Sequence, residues 1–498
     1  MEVSTDQKIM SILQNGGLTP DQEISREKLS ALAEAYHEET PEDPTIIDVF
    51  RYLAARKAEQ GTFTEAELIY ELIASVFDQQ FGREHPQSLQ ALYDLAIVYQ
   101  ELDKLAPAEK IFRHVLQAVL KIWGSDNHYV FGCVTGLADL YLQLNDYAQA
   151  EPYCWTIYDA YVKAYEIDSP DLKAATLNMA LVSHRLGKWA DAERYYLQLL
   201  SIFRAQPATD DTDIADTLSI IADIMAYQGK NEMAENYLTQ ALHILQNLSE
   251  APLNQIAHVT NNLGTLCIRR EQLGRAENYY RHSLSLWENV AGPESLESAD
   301  PLDGLGSVYF QRNDFDKAEE FFGRCLSVRE KWLKPDDPIV LVTRKKLAQA
   351  LEQLNSFDEA EEIYQALYQT WVEKHGAKNL ETVNALFDLA VVYQNQKRYE
   401  KAEKAYRAVL GEREKILGKH HPEVGLCVDN LGALYFSQGN YDAAEQYYLR
   451  SIELWNSIYG PDHPYQTMAL HNYASLLRTQ KRLKEAELIE KRIIGNLS

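Results

Sequence analysis

The side chains in this sequence best suited to metal ligation or nucleophilic attack are the histidines His85, His128, His420, His421 and His463 and the cysteines Cys133, Cys154, Cys267, Cys325 and Cys427. Neither set has the spacing its chemistry needs. The histidines recur once per connecting segment, so neighbours stand on the order of 10 Å apart, beyond the reach of one zinc ion. His85, His421 and His463 each precede a proline, where a side chain caps a helix, and capping is the expected role. The cysteines form no close pair, and an odd, sparse set suits a reducing compartment. Cys133 and Cys427 occupy a slot filled elsewhere by Ala91, Ala175, Val259, Ala385 and Ala469, so a small core residue is expected there rather than a nucleophile. No P-loop, dinucleotide fingerprint, zinc-protease helix or nucleophile elbow occurs. No catalytic residue, metal site or cofactor is assigned.

The elements that carry these residues follow from a strict repeat. Ala-Glu recurs with its alanine at 66, 108, 150 and every 42 residues onward to 486, eleven times without an insertion. Twelve positions earlier a second small residue keeps the same period, from Ala54 and Ala96 through Gly264, Gly306 and Gly432 to Ala474. Apolar residues three and four apart surround both anchors, which predicts two amphipathic helices per repeat, A and B. Gly, Asp or Asn at 61, 103, 145, 187, 229, 313, 355 and 439 tolerates the left-handed backbone that ends helix A. The longer link from B to the next A carries Gly82, Gly124, Gly292, Gly376, Gly418 and Gly460, then proline at 86, 170, 338, 422 and 464. The residues before those prolines, His85, Ser169, Asp337, His421 and His463, are placed to cap. Residues 44–498 are therefore read as eleven hairpins, and residues 1–43 as an N-terminal helical capping segment.

The eleven glutamates after the helix-B alanine, Glu67 to Glu487, form a column that looks like an acidic surface. Catalysis would not be copied identically in every repeat, and a carboxylate in a helix's first turn complements the macrodipole. They are expected to meet the neighbouring hairpin. Trp287, Trp371 and Trp455 share one helix-B position in alternate repeats and are expected to pack against the next helix A.

Helix-A Leu-Ala or Leu-Gly with Tyr three residues on, followed by a helix-B Ala with an aromatic four residues on, resembles the tetratricopeptide repeat (TPR). The 42-residue period and the Gly-x-x-His-Pro links, clearest over residues 414–464, resemble its kinesin-light-chain-like branch. The resemblance implies an all-α, right-handed superhelical solenoid. Eukaryotic light chains resemble one another in a heptad coiled coil before the repeats. Residues 1–43 show no sustained heptads, so a free-standing protein lacking that coiled coil is expected.

In TPR proteins the concave wall is made mainly by helix A, here by positions −6, −3, −2, +1, +4 and +5 around its anchor. The peptide-holding asparagines of light-chain-like repeats resemble Asn178, Asn262, Asn430 and Asn472. Asn both donates to and accepts from a peptide backbone, so a ladder of them suits an extended guest. Arg185, Arg269 and Lys346 supply positive charge along the same wall, with Lys345, His184 and His258 nearby. Repeats one to three instead contribute Asp48, Glu59, Asp94, Glu101 and Asp139 against Arg51 alone. The expected guest is asymmetric in charge, with a carboxylate for the middle and a basic or neutral stretch for the other end.

Composition bounds the partners. The 498 residues carry 48 Lys+Arg against 74 Asp+Glu, a net charge of −26, so nucleic acid and anionic membranes are not expected. No apolar run is long enough to span a bilayer, and a soluble, cytoplasmic protein is expected. The expected function is a non-enzymatic scaffold holding a peptide segment of a partner protein. The alternative is self-assembly into a homo-oligomer through solenoid ends or the N-terminal segment. A transcriptional regulator would need a DNA-binding domain, and residues 1–43 are too short and acidic for one.

Overall fold

The computed structural model describes residues 45–496 apart from 125–126, 167–168 and 206–209, together with residue 27. The expected capping segment, residues 1–43, lies outside the described residues except for residue 27. The described residues form twenty-two α-helices and no strand, in repeated hairpins. The chain divides into two compact units, Met1–Ala241 and Leu242–Ser498.

The first unit holds α1 (Thr45–Glu59), α2 (Phe63–Phe81), α3 (Pro86–Glu101), α4 (Leu105–Trp123), α5 (His128–Gln143), α6 (Tyr147–Ala164), α7 (Pro170–Arg185), α8 (Trp189–Ala205) and α9 (Asp211–Tyr227). Helix α10 (Asn231–Gln246) carries the chain into the second unit. There follow α11 (Leu253–Arg269), α12 (Leu273–Val290), α13 (Ala299–Gln311), α14 (Phe315–Trp332), α15 (Pro338–Gln353), α16 (Phe357–His375), α17 (Leu380–Asn395), α18 (Tyr399–Ile416), α19 (Pro422–Ser437), α20 (Tyr441–Tyr459), α21 (Pro464–Thr479) and α22 (Leu483–Asn496). Odd-numbered helices are A and even-numbered ones B. Within each unit the helices pack chiefly on their neighbours in sequence, and α3 on α5 or α11 on α13 also join successive A helices, the short-range stacking of a solenoid.

Every A-to-B turn is left-handed. The backbone has positive φ at Gly61, Asp103, Asn145, Gly187 and Gly229, and again at Glu271, Asn313, Asn355, Lys397, Gly439 and Lys481. Glu271, Lys397 and Lys481 were not expected from residue type. The next amide reaches back five residues, as from Arg398 to the Tyr393 carbonyl at 2.8 Å, and this C-cap holds the conformation whatever the residue. At the links His85, His421 and His463 cap as expected, each Nδ1 accepting from the amide two residues on at 3.4, 3.2 and 3.2 Å. Asp337 caps in the same way, whereas Ser169 makes no side-chain cap.

Both small-residue columns are buried, and the reason is contact with rings. A Cβ added to Gly264 would come within 2.9 Å of Tyr280, to Gly306 within 2.5 Å of Phe322, and to Gly432 within 2.7 Å of Tyr448. In each case the ring stands sixteen residues on, in helix B of the same hairpin. All five cysteines are buried thiols outside any disulfide, and burial pushes those of Cys133, Cys154, Cys325 and Cys427 up to about 12, the behaviour of core residues.

Candidate functional site

The glutamate column ties several hairpins to the next. Lys104, Lys230, Arg398 and Arg482, at the start of helix B, reach back 37 residues to Glu67, Glu193, Glu361 and Glu445 at 2.6 to 2.9 Å, and Lys188 does the same to Glu151. Where the start of helix B is Asp146, Asp314 or Asn440, the preceding repeat compensates from within. Arg113, Arg281 and Arg407, four residues after the glutamate, clamp Glu109, Glu277 and Glu403 together with the hydroxyls of Tyr141, Tyr309 and Tyr435. Burial opposes ionisation of Glu277, but hydrogen bonds from Tyr309, Arg312 and Arg281 outweigh it and hold its carboxyl at about 2. The column is therefore an internal joint.

The tryptophan column has a second half that residue patterns missed. Trp455 is fully buried, donates from Nε1 to Asp429 Oδ2 at 2.7 Å and stacks on Tyr465 of the next helix A at 4.6 Å. In the repeats between Trp287, Trp371 and Trp455 the same position holds Arg329 and Arg413, both buried. Arg329 donates to Asp300 Oδ1 at 2.9 Å and to Thr343 Oγ1, with Asp303 at 3.7 Å. Arg413 donates to Asn384 Oδ1 and the Glu423 carbonyl, and lies 4.4 Å from the Phe387 ring centre. The signal was a charge in an aromatic column, visible in the alignment of repeats.

Of the seven residues assigned to peptide binding, Asn178 and Arg185 lie in the first unit on α7. Asn178 is half-buried and Arg185 exposed, and neither has a hydrogen-bond or ion-pair partner among the described residues. Leu177, one residue before Asn178, is exposed. The position of Arg185 in the next repeat holds Tyr227, 67% exposed and stacked on Trp189 at 4.9 Å. His184 points instead toward Trp189 and Tyr196, and burial, aided by Arg185, lowers its pKa.

The second unit holds Asn262, Arg269, Lys346, Asn430 and Asn472. Arg269 is exposed and forms no ion pair among the described residues, and Asn472 is half-buried. Asn430 spends its Nδ2 on the Leu426 carbonyl at 2.9 Å. Lys346 is engaged by its own chain, with Nζ 2.6 Å from Asp303 Oδ2, and Lys345 likewise pairs with Asp388 at 2.5 Å. The positive charge expected at these two positions is thus met internally. Burial, reinforced by Asp388, pushes Glu352 up to about 7, and burial raises Asp388 despite Lys345. In the first unit burial raises Asp94 to about 6, with Arg51 opposing it.

Two hollows of the second unit flank its helices. One, of 580 Å³, runs between the B helices α16 and α18, lined by Tyr368, Tyr393, Lys401 and Lys404 among others. The other, of 260 Å³, sits where the link into the seventh hairpin departs from the pattern. Leu296 replaces the usual proline, a short 3-10 turn spans Leu296–Ser298, and α13 starts late and has only 13 residues. That opens a space bounded by His258, Asn261, Trp287, Glu297, Asp300, Arg329 and apolar neighbours.

Stacked helical hairpins with ties between repeats define a TPR solenoid, a fold of protein-interaction scaffolds. Tetratricopeptide repeat family models match residues 45–121, 172–247, 255–331, 339–415, 381–457 and 426–496, and a second such model matches 135–208. The chain belongs to the tetratricopeptide repeat family. Among solved structures it is similar to the STAND ATPase protein with a tetratricopeptide repeat sensor, PH0952 from Pyrococcus horikoshii, at 14% identity over 94% of this chain and 72% of that one, TM-score 0.54. It is also similar to the apo form of RapI, at 15% identity over 74% and 98% of the two chains, TM-score 0.50. BtubC (BKLC) from P. vanneervenii matches at 18% identity over 45% of this chain and 88% of that one, with a TM-score of 0.37. No curated protein matches the sequence. At such identities the likeness speaks for the fold.

Proposed function

We propose that this chain is a non-enzymatic scaffold that binds a peptide segment of a partner protein along the faces of its A helices. The observation that carries the reading is on α7, where unpartnered Asn178 and unpaired Arg185, two turns apart, share one side of a helix and Leu177 is exposed beside them. An apolar contact, a backbone-reading amide and a free guanidinium are the three features an extended peptide with a carboxylate would use. The stacked hairpins hold these groups in place before the guest arrives, which lowers the ordering cost of binding.

Charge-assisted bonds from Arg185 and Arg269 to such a guest are each worth roughly 1.5–3 kcal/mol. A pull-down comparing wild type with Arg185→Ala/Arg269→Ala should show partner retention reduced about tenfold or more. The control, Lys110→Ala/Lys491→Ala on B helices, should retain partners normally. Equal loss in both variants, or in neither, rules the A-face reading out.

Self-association is a second reading, favoured by Leu483 and Leu488 on α22, which are 53% and 69% exposed. Light scattering over a concentration series separates it from the first. A monomer at micromolar concentration counts against it.

A further inference from the structure

We infer that the 260 Å³ hollow at the seventh hairpin is a specificity pocket for a basic side chain, lysine or arginine, of the guest peptide. The inference rests on the peptide-scaffold reading and adds a subsite chemistry to it.

The walls set the shape of the ligand. Trp287, Leu333 and Ile339 form an apolar lining, and Ile339 is 41% exposed with no other segment covering it among the described residues. A small, partly enclosed apolar space of this size accepts an aliphatic stem. An indole in the wall also attracts a cation more strongly than any other aromatic side chain.

The polar groups set the charge. Glu297 and Asp300 line the hollow, both exposed at its rim. The one cation in the lining, Arg329, is already occupied by Asp300 and Thr343, and Asp303 is shared between Arg329 and Lys346. Three carboxylates against two cations leave the neighbourhood net negative. An anionic ligand would meet two carboxylates and find the one guanidinium already paired.

The third observation is independent of charge. Asn261 Oδ1 is buried in the lining with no hydrogen-bond partner. A buried acceptor left unpaired costs on the order of 1–3 kcal/mol, so the site lacks a donor. An ammonium or guanidinium brings several donors and no acceptor. Asn261 and Asp300 occupy the −3 and −6 positions of successive A helices, on the face assigned to the guest, so a side chain branching from a peptide laid along that face enters here.

A random peptide library displayed against the full-length chain tests this. Selected peptides should share a Lys or Arg at one position. By fluorescence anisotropy, Glu297→Lys should weaken such a peptide about tenfold or more, as should replacing its basic residue with Met. Ile339→Trp, which fills the hollow without changing its charge, should do the same. Glu320→Lys, an equal charge change on the exposed side of α14, should leave affinity within about twofold. Peptides that bind without a basic residue, or whose affinity ignores Glu297→Lys and Ile339→Trp, overturn the pocket while leaving the scaffold standing. Failure to select any peptide overturns both.

Discussion

Lys104 at the start of α4 places its ammonium 2.6 Å from Glu67 Oε1, joining the second hairpin to the first across 37 residues of chain. The glutamate is only 13% exposed, so the pair is better shielded than an ordinary surface bridge. Its recurrence gives the stack a set of ionic joints besides its apolar contacts.

Breaking the most enclosed joint should therefore cost more than losing a surface pair. Glu361 is 12% exposed and takes hydrogen bonds from Arg398, Gln396 and Gln365. Glu361→Ala leaves those donors unpaired and should destabilise by about 2 kcal/mol. Lys317→Ala, which removes an exposed pair with Asp314, should change stability by less than about 0.5 kcal/mol. Urea melts of the two variants check the difference.

The left-handed turns hold a reserve of stability. Lys397 and Lys481 sit at φ 61° and 62°, where a side chain costs about 1 kcal/mol that glycine avoids. Lys397→Gly should stabilise by roughly 0.5 kcal/mol after glycine's extra unfolded-state entropy is counted, and Gly439→Ala should destabilise by about 1 kcal/mol. Thermal unfolding of both, measured against wild type, gives opposite signs.

Glu352 supplies a pH dependence of defined sign. Its folded pKa of about 7 lies above the unfolded value of 4.5, so the native state binds more protons across that window. Its contribution to stability is fully present below pH 4.5 and is lost as pH rises through about 7. Glu352→Gln, which keeps the neutral shape, should match wild type at low pH and exceed it by about 1 kcal/mol above neutrality. Glu277, held at about 2, acts in the opposite sense: its contribution is present above 4.5 and lost as pH falls toward 2. Chemical melts of wild type and Glu352→Gln at several pH values resolve the first term.

The small-residue columns predict local failure. Ala222 is 1% exposed, so Ala222→Leu forces overpacking and should cost about 1–3 kcal/mol. Because the packing is between neighbours, limited proteolysis should nick the chain near α9 while distant hairpins stay protected. A wild-type digestion pattern would mean that the anchor is not where the helices meet.

Residue type and period alone specify the hairpins: their number, their A and B helices, the buried anchors and the proline-marked links. These depend on contacts within about 42 residues, and each of them is written in residue type and period. Gly264 and Gly306 announced close packing because only a missing side chain admits Tyr280 and Phe322. Even the glutamate joints were legible as a column, though not their partners. Which charges remain available is set by the packing of one hairpin on another. Lys346 and Arg269 read alike along the chain, yet Lys346 is met by Asp303 from the preceding hairpin and Arg269 is left to solvent. The pocket beside Trp287 likewise has no motif. It exists because α13 starts late and because Arg329, arriving from α14, draws Asp300 and Asp303 toward one place. Period records which face a side chain occupies. Whether its charge is already satisfied depends on a neighbour one repeat away, and that is settled only when the hairpins stack.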